Sequence, residues 1–566
     1  MRFLVFVTVW SICQTALSQG FDPAIKVNQV GYYPHSVKVA IVPECSSKMF
    51  YVKEKGTDQI AYEGVLGKAE CWEFSGERVH VAEFSELSEA GRYYISCDDP
   101  DVQDSYPFQI KQNVYNELAK ASLMGFYLAR ASTDLEEAYV GKFHRPGGHP
   151  DERVIVHRSA ASAERPEGSI ISSPGGWYDA GDYNKYITNS GITTFTLLHL
   201  FELSAGFSED IVLDIPENQN KLPDLLDEIL WNLRWMMSMQ DPNDGGVYHK
   251  LTHKRFMEVQ MPHEVSSPRY VVMKTTAAAL DLAAVCAKAA RLTEALDDHL
   301  PGFADSCLLT AKKAWDWAVQ NPKVYYEQPQ DIKTGAYGGT KLKDEWAWAS
   351  IELFLTTGKR SYLPPHLENA LKYDAPEWGR VGSLGIYSLI LDNTYSLGSY
   401  KKIEKRFLKS ADKMHQRYRQ SAYQVSIDSF PWGSNSHALN EGIFLHMAYL
   451  HTSEKKYLDA AEATLHYVLG RNALGVCFVT GEGSRSPMHI HDRRSRADGI
   501  DEPIPGLLVG GPSKQALQDC GEEAYPSPFP ALSWIDDVCS YSTNEVAINW
   551  NAALSFLVNA LEYGKP

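Results

Sequence analysis

Near residue 112 the apolar residues of this chain change their spacing, and that change sets what each part can fold into. Before it, KVAIV (38–42), MFYVKE (49–54), RVHVAEF (78–84) and GRYYISC (91–97) alternate apolar and polar residues. Alternation sends successive side chains to opposite faces of a strand. Turns rich in Gly, Pro, Ser and Glu separate these runs at regular intervals, so residues 22–111 predict a small β-sandwich. Beyond it, over residues 114–566, the period is helical. ELAKASLMGFYLARA (117–131), ITTFTLLHLFELS (192–204), PDLLDEILWNLRWMMSMQ (223–240) and TTAAALDLAAVCAKAARL (275–292) all carry it. The same spacing recurs through 306–320, 344–357, 363–373, 382–392, 399–418, 436–452, 455–470 and 543–563, about twelve helices in all. Paired helices with polar connections predict an α/α barrel or toroid rather than a four-helix bundle. No Pro- or Ser-rich linker separates the two regions, which predicts that they pack rigidly.

The whole chain is acidic, with a formal net charge of −17. A surface of that sign offers no basic stripe to neutralise phosphates, which excludes nucleic acid as a partner and disfavours anionic polymers. The first residues, MRFLVFVTVWSICQTALSQG, read as an export signal: a basic start at Arg2, an apolar run from Phe3 to Ile12, and a small-residue site at Ala16-Leu17-Ser18. The run is too short to span a bilayer, and no later stretch is long and apolar enough to do so. Residues 1–18 are therefore expected to be removed and the mature chain to be secreted or periplasmic. Losing Cys13 leaves eight cysteines, which export would allow to pair, though spacing does not fix the pairing and buried free thiols are the alternative.

Three clusters carry groups suited to chemistry. In SPGGWYDAGDYNKY (173–186), Asp179 and Asp182 stand three residues apart between a Gly-Gly turn and a helix. Two carboxylates so spaced can approach one point and hold and deprotonate a water. Trp177 and Tyr178 beside them offer flat faces for sugar rings. An Asp-rich turn that caps the next helix or binds calcium is the competing reading. In SPMHIHDRRSR (486–496), His489, His491, Arg493 and Arg494 supply donors for hydroxyls and can hold a nearby carboxylate ionised. In YSTNEVAINWNAAL (541–554), Glu545 stands at the predicted start of an apolar helix, with Thr543 or Asn544 as cap. A first-turn Glu is equally a stabilising charge. Together the clusters supply a water-activating pair, a donor-rich loop and a lone acid, the parts that glycoside hydrolysis requires.

At these residues the sequence resembles glycoside hydrolase family 9, the cellulase family with an (α/α)6 barrel. GGWYDAGDYNKY is similar to the family's GGWYDAGD signature, and NEVAINWNAAL to the motif that carries its acid. IKVNQVGYYPHSVKVAIV (25–42) resembles the start of the immunoglobulin-like domain that precedes the barrel in one branch. Residues 221–252, 466–483 and GLLVGGP (506–512) resemble further family segments in the same order. The resemblance implies an inverting hydrolase of β-1,4-glucosidic bonds. Asp182 would be the base, Asp179 would help to position the water, and Glu545 would be the acid. His491 and Arg493 would line the non-reducing side of the cut, and Trp550 would fill the aromatic position five residues after the acid.

The implied substrate is a cellulose-like chain, mixed-linkage glucan or xyloglucan, attacked internally by a monomer without an organic cofactor. Exo-acting β-glucosidase or glucosaminidase activity, and a non-catalytic glucan-binding protein, are the alternatives. Three departures from the family pattern bear on this. Many relatives read PHHR where this chain has Ile490-His491-Asp492-Arg493, which adds a negative charge beside the arginine. The region matching a family zinc site, FHRPGGHPDERVIVH (143–157), keeps His144, His149 and His157 but no cysteine, so zinc is not expected. Asp344-Glu345 resembles a family calcium-ligand pair and makes calcium the expected metal, although Thr340 and Lys341 depart from its upstream half and a helix-start acidic pair would look the same.

Overall fold

The computed structural model describes residues 24–392 and 398–564, so the export signal read in residues 1–18 lies outside it. The strands of the first region are β1 (Gly31–Tyr32), β2 (Val39–Pro43), β3 (Met49–Glu54), β4 (Ile60–Val65), β5 (Glu70–Trp72), β6 (Glu77–Glu83), β7 (Gly91–Cys97) and β8 (Phe108–Ile110). They form two sheets, ordered β1-β8-β7-β3-β4 and β2-β6-β5. The alternation read from sequence decides which side chains meet: Phe50 and Val52 of β3, Ile95 of β7, and Ala40 and Val42 of β2 fill the space between the sheets. β2 is buried along its whole length. Its other face, Val39 and Ile41, joins the core of the helical region together with Trp72 and Val79. A strand with two covered faces carries a continuous apolar run, so residues 39–42 depart from the alternation expected there.

The helical region contains α1 (Asn116–Leu128), α2 (Glu137–Val140), α3 (Ile187–Leu203), α4 (Asp224–Ser238), α5 (Thr276–Thr293), α6 (Phe303–Gln320) and α7 (Lys343–Thr357). It continues with α8 (Gly382–Leu391), α9 (Tyr400–Gln420), α10 (Ser434–Thr452), α11 (Lys455–Val468), α12 (Arg493–Ala497) and α13 (Ile548–Tyr563). Six helices close a ring: α3 packs on α5, α5 on α7, α7 on α8, α8 on α10, α10 on α13, and α13 on α3. Inner helices are covered on all sides, and every residue of α3 from Ile187 to Leu200 is buried. Around them lie α1 on α13, α4 on α3, α6 on α5, and α9 and α11 on α10. These outer helices bury a single stripe, as α9 does with Ile403, Phe407, Ala411, Met414 and Tyr418. Five short strands, β9 (Val154–Val156), β10 (Ile170–Ile171), β11 (Lys185–Tyr186), β12 (Lys250–Thr252) and β13 (Tyr270–Val271), make a third sheet ordered β10-β9-β13-β12-β11 beside the ring.

Two helix readings change. Residues 363–373 hold only a short 3-10 turn, Leu367–Asn369, because Pro364-Pro365 removes two donors and His366 turns left-handed (φ 56°). The last helix starts at Ile548 rather than 543, with Ala547 at its cap position. Thr543 and Asn544 are spent elsewhere. The Thr543 hydroxyl pairs with Ser540, and the Asn544 amide donates to the His489 carbonyl (2.9 Å) and to Asp536 (3.1 Å). Among the cysteines, Cys520 and Cys539 form a disulfide, whereas Cys286, Cys307 and Cys477 are buried free thiols and Cys45 and Cys97 are half-buried ones.

Candidate active site

The three clusters, far apart in sequence, converge just before the inner helices. Asp179 and Asp182 precede α3, and Glu545 precedes α13. The Asp179 carbonyl accepts the Ile548 N–H (2.9 Å), and Ala180 bridges Ala547. His491 pairs with Glu545 in a parallel bridge, and the His491 N–H bonds the Asn544 carbonyl (2.9 Å). Arg493 donates to the Gly181 carbonyl from its backbone N–H (3.2 Å) and its guanidinium (2.7 Å). Residue 181 must be glycine for this, because any Cβ there would run into the His491 carbonyl oxygen.

The loop that carries the two aspartates is held at both ends. Gly175 and Gly176 take positive φ (79° and 77°), and a Cβ on Gly176 would collide with Trp235. Lys185 at the far end donates to the Gly175 carbonyl (2.6 Å) and pairs with buried Asp151 (2.7 Å). Arg269 completes that buried cluster (3.1 Å to Asp151) and donates to the Tyr183 carbonyl (2.7 Å). Beneath the loop, Trp177 donates its indole N–H to Glu228 (2.7 Å), whose charge is matched by buried Arg130 (2.9 Å).

Trp177 and Tyr178 therefore do not face sugar. Both are fully buried. The indole is committed to Glu228 and packs on Phe126, while the Tyr178 hydroxyl shares a hydrogen bond with His149 (2.8 Å). Other aromatics border the site. Trp432, 39% exposed, lies 5.6 Å from Tyr541, which in turn meets the His491 ring at 6.0 Å. Phe256, 47% exposed, lies under the Arg493 guanidinium (5.7 Å). Trp550 is half-buried against Gly433 and Gly510, and the Gly510 N–H bonds the Glu545 carbonyl (2.9 Å).

The carboxylates differ in their surroundings. Asp179 accepts from the Asn189 amide (2.5 Å) and the Tyr337 hydroxyl (2.8 Å). Burial and then the charge of Asp182 push it up to about 8. Asp182 is raised by burial, but Arg493 and the Asn184 amide pull against the rise. Glu545 is raised well above the usual carboxylate range by burial and then by Asp182 and Asp179, with Arg493 and the Gly181 N–H opposing. Like charges in one buried site cannot all ionise, so protons are retained where compensation is weakest. His491 is lowered by burial, and its Nδ1 donates to the Val538 carbonyl (2.6 Å). A neutral His491 thus presents Nε2 as an acceptor.

Asn184, Asn189 and Tyr337 went unnoticed in the sequence. Only Asn184 lies within a motif, and the GAYGG turn around Tyr337 carries no chemical signature. The added charge at Asp492 turns inward: its carboxylate caps α12 through the Ser495 N–H (3.1 Å) and pairs with Arg494 (2.9 Å), leaving Arg493 free for the loop. His144, His149 and His157 do not converge. They bond, respectively, the Gly141 carbonyl (3.1 Å), Tyr178 with His253 (2.8 and 3.1 Å), and Ser159 with Asp331 (2.9 and 3.2 Å).

Asp344 and Glu345 are buried at the start of α7, and Asp281 faces them electrostatically. Asp281 Oδ1 and Glu345 Oε2 have no hydrogen-bond partner among the described residues. Orphaned buried carboxylate oxygens fit a hard cation. No helix among the described residues is long and apolar enough to cross a membrane.

Comparison with known proteins gives the same assignment. Residues 21–101 match the cellulase N-terminal Ig-like domain, and residues 115–558 match glycosyl hydrolase family 9. A xyloglucan-specific endo-β-1,4-glucanase of Bacteroides ovatus is 40% identical, over 97% of this chain and 95% of that protein. Endoglucanase D of Acetivibrio thermocellus is 32% identical, over 96% of this chain and 84% of its own length. The structure of a Bacteroides ovatus family 9 protein superposes with a TM-score of 0.88 at 38% identity, covering 96% of this chain and 99% of the other. The ring of inner and outer helices behind an immunoglobulin-like sandwich is thus the (α/α)6 barrel architecture, and the chain is a glycoside hydrolase that belongs to glycosyl hydrolase family 9.

Proposed function

We propose that this chain cleaves internal β-1,4-glucosidic bonds of a glucan with inversion, Glu545 acting as acid and Asp182 as base. The observation that carries the reading is the convergence of three buried carboxylates with unequal partners, Asn184 on Asp182 and Asn189 with Tyr337 on Asp179. Glu545, raised well above the usual range by burial and by Asp182 and Asp179, keeps a proton to give to the leaving glycosidic oxygen. Within the Asp179–Asp182 pair, burial and the neighbouring charge raise Asp179, while Arg493 and Asn184 favour Asp182 as the ionised member that takes a proton from water. Asp179 orients that water. His491, Arg493, Trp432 and Trp550 line the path of the chain, and the relative in Bacteroides ovatus supports xyloglucan as one substrate.

Asp182→Asn and Glu545→Gln should each lower turnover about 10²–10⁴-fold with little change in melting temperature. Proton NMR of the first product should show the α-anomer, and polymer viscosity should fall before monosaccharide appears. Initial β-product, or either variant at near wild-type rate, would contradict the mechanism. Monosaccharide release alone would favour exo action instead. We also propose that the protein is exported and monomeric. In addition, Asp281, Asp344 and Glu345 would hold a calcium ion, whose charge would neutralise the buried acids at the start of α7.

A further inference from the structure

Asn184 stands two residues after Asp182 and just before β11. Its side-chain carbonyl is claimed from the neighbouring strand: Thr252 Oγ1 lies 2.9 Å from Asn184 Oδ1, and the His253 N–H lies 2.9 Å from the same oxygen. The His253 N–H can only donate, so the amide cannot flip and its N–H2 group faces Asp182 Oδ2, where it donates; the single Thr252 hydroxyl proton is shared between Asn184 Oδ1 and the His253 carbonyl (2.8 Å). The Asn184 backbone N–H donates to the same carboxylate.

The clamp extends further. Lys250 Nζ donates to Thr334 Oγ1 (3.1 Å), and Thr334 Oγ1 lies 2.6 Å from Thr252 Oγ1. A run from Lys250 through two hydroxyls to an amide lets each donor polarise the next, most strongly while Lys250, lowered to about 7 by burial, carries its proton. β11 pairs with β12 at Lys185–Leu251 and Tyr186–Lys250, so the relay is built into the strand pairing.

We infer that Asn184 is a positioning residue for Asp182, its amide locked by Thr252 and the His253 backbone so that it aims the carboxylate and favours its ionised form. This rests on the reading of Asp182 as base, yet it makes a separate claim about how that base is held. Other groups act on Asp182 as well: Asp179 from its own loop, His491 just before α12 and Arg493 at its first residue, Arg269 before β13, Lys250 on β12, Tyr186 on β11, and Glu545 before α13. Arg493 is the largest attractive charge among them, but its guanidinium is also tied to the Gly181 and Met257 carbonyls. Asn184 gives both of its N–H groups to Asp182.

The test is the pH dependence of kcat/KM for soluble glucan in Asn184→Ala, Asn184→Asp and Thr252→Val, with melting temperatures alongside. Removing a donor from the ionised form raises the pKa of the base, so the acid limb of the Asn184→Ala profile should move up by about one pH unit. kcat should fall about tenfold or more, with KM within about twofold of wild type. Asn184→Asp, close to isosteric, places a like charge beside Asp182 and should move the limb further up. Thr252→Val, which keeps the shape but frees one side of the amide, should move it by less in the same direction. An acid limb at its wild-type position in Asn184→Asp and Thr252→Val would overturn the inference, whatever happens to stability. Should Asp182→Asn itself remain active, the base reading fails instead, and the two outcomes are separable.

Discussion

Asp179 is almost fully buried, and each of its oxygens accepts one hydrogen bond, from Asn189 and from Tyr337, which leaves a second lone pair on each. A carboxyl held at about 8 in the folded chain and near 3.8 outside it binds more protons when folded. Its contribution to stability is therefore full below the unfolded value and is lost as pH climbs toward 8. Asp179→Asn removes that liability and keeps the shape. Asn189 can still donate to the new amide oxygen, and the Tyr337 hydroxyl can turn to accept from the new N–H2. The variant should melt about 1–3 °C above wild type at pH 8, with the gap closing near pH 4, while its activity collapses. A gap that does not change with pH would show that Asp179 is ionised in the folded protein. At this scale the sequence reveals residues and hides their exposure. Asp179, Asp182 and Glu545 are legible because each sits in a short motif with local spacing. Trp177 and Tyr178 are misread because only the distant Glu228 and His149 show that their polar edges turn inward. Tyr337 is invisible because its hydrogen bond to Asp179 spans 158 residues.

Between residues and the whole, the working unit is the interlock of three loops: 175–185, 489–493 and 543–548. Gly181 is its tightest point, where the chain passes against the His491 carbonyl and receives two bonds from Arg493. The obstacle to a side chain here is backbone against backbone, so neither partner can rotate away. Gly181→Ala should push the Asp182 loop from the Glu545 strand, and a shift of about 1 Å in reacting groups can cost about 10²-fold in kcat. Melting temperature should fall as well, since the His491–Glu545 bridge loosens. Wild-type turnover in this variant would mean that the loops do not depend on each other. Helical periodicity placed α3 and α13 from sequence, yet it carried the last helix five residues too far toward its start. Nothing local distinguishes a capped helix from a strand-like entry, because the bridge of Glu545 to His491 is a tertiary contact. The segment at 363–373 misled in the opposite way: its apolar spacing reflects the burial of Leu367 and Leu371, not a helix.

On the scale of the whole molecule, the sandwich is part of the wall behind the cleft. Trp72 at the end of β5 lies 4.2 Å from Tyr423 and 6.1 Å from Phe430, and the Tyr423 hydroxyl donates to Glu77 (2.7 Å). The Ala531 N–H bonds the Phe74 carbonyl (3.0 Å), and Phe529 packs over Gly76. These contacts brace two segments, 423–430 and 529–531, that lead directly to Trp432 and to Asp536. Asp536 in turn accepts from the Met488, His489 and Asn544 N–H groups (2.8, 2.9 and 3.1 Å). The rigid packing expected from the missing linker thus has a consequence for function: the sandwich supports the aromatic side of the cleft but does not touch Asp182, whose loop is held by Lys185, Arg269 and Asn184. Trp72→Ala should cost about 3–5 kcal/mol of stability through the cavity it leaves. Its effect on catalysis should fall on polymer binding, raising KM several-fold while kcat stays within about threefold, because the lost support is needed equally in ground and transition states. Steady-state kinetics on soluble glucan, run well below the lowered melting temperature, would separate these terms. A kcat loss as large as that of Asp182→Asn would place the sandwich in the path that holds the carboxylates, and an unchanged KM would remove it from the cleft altogether.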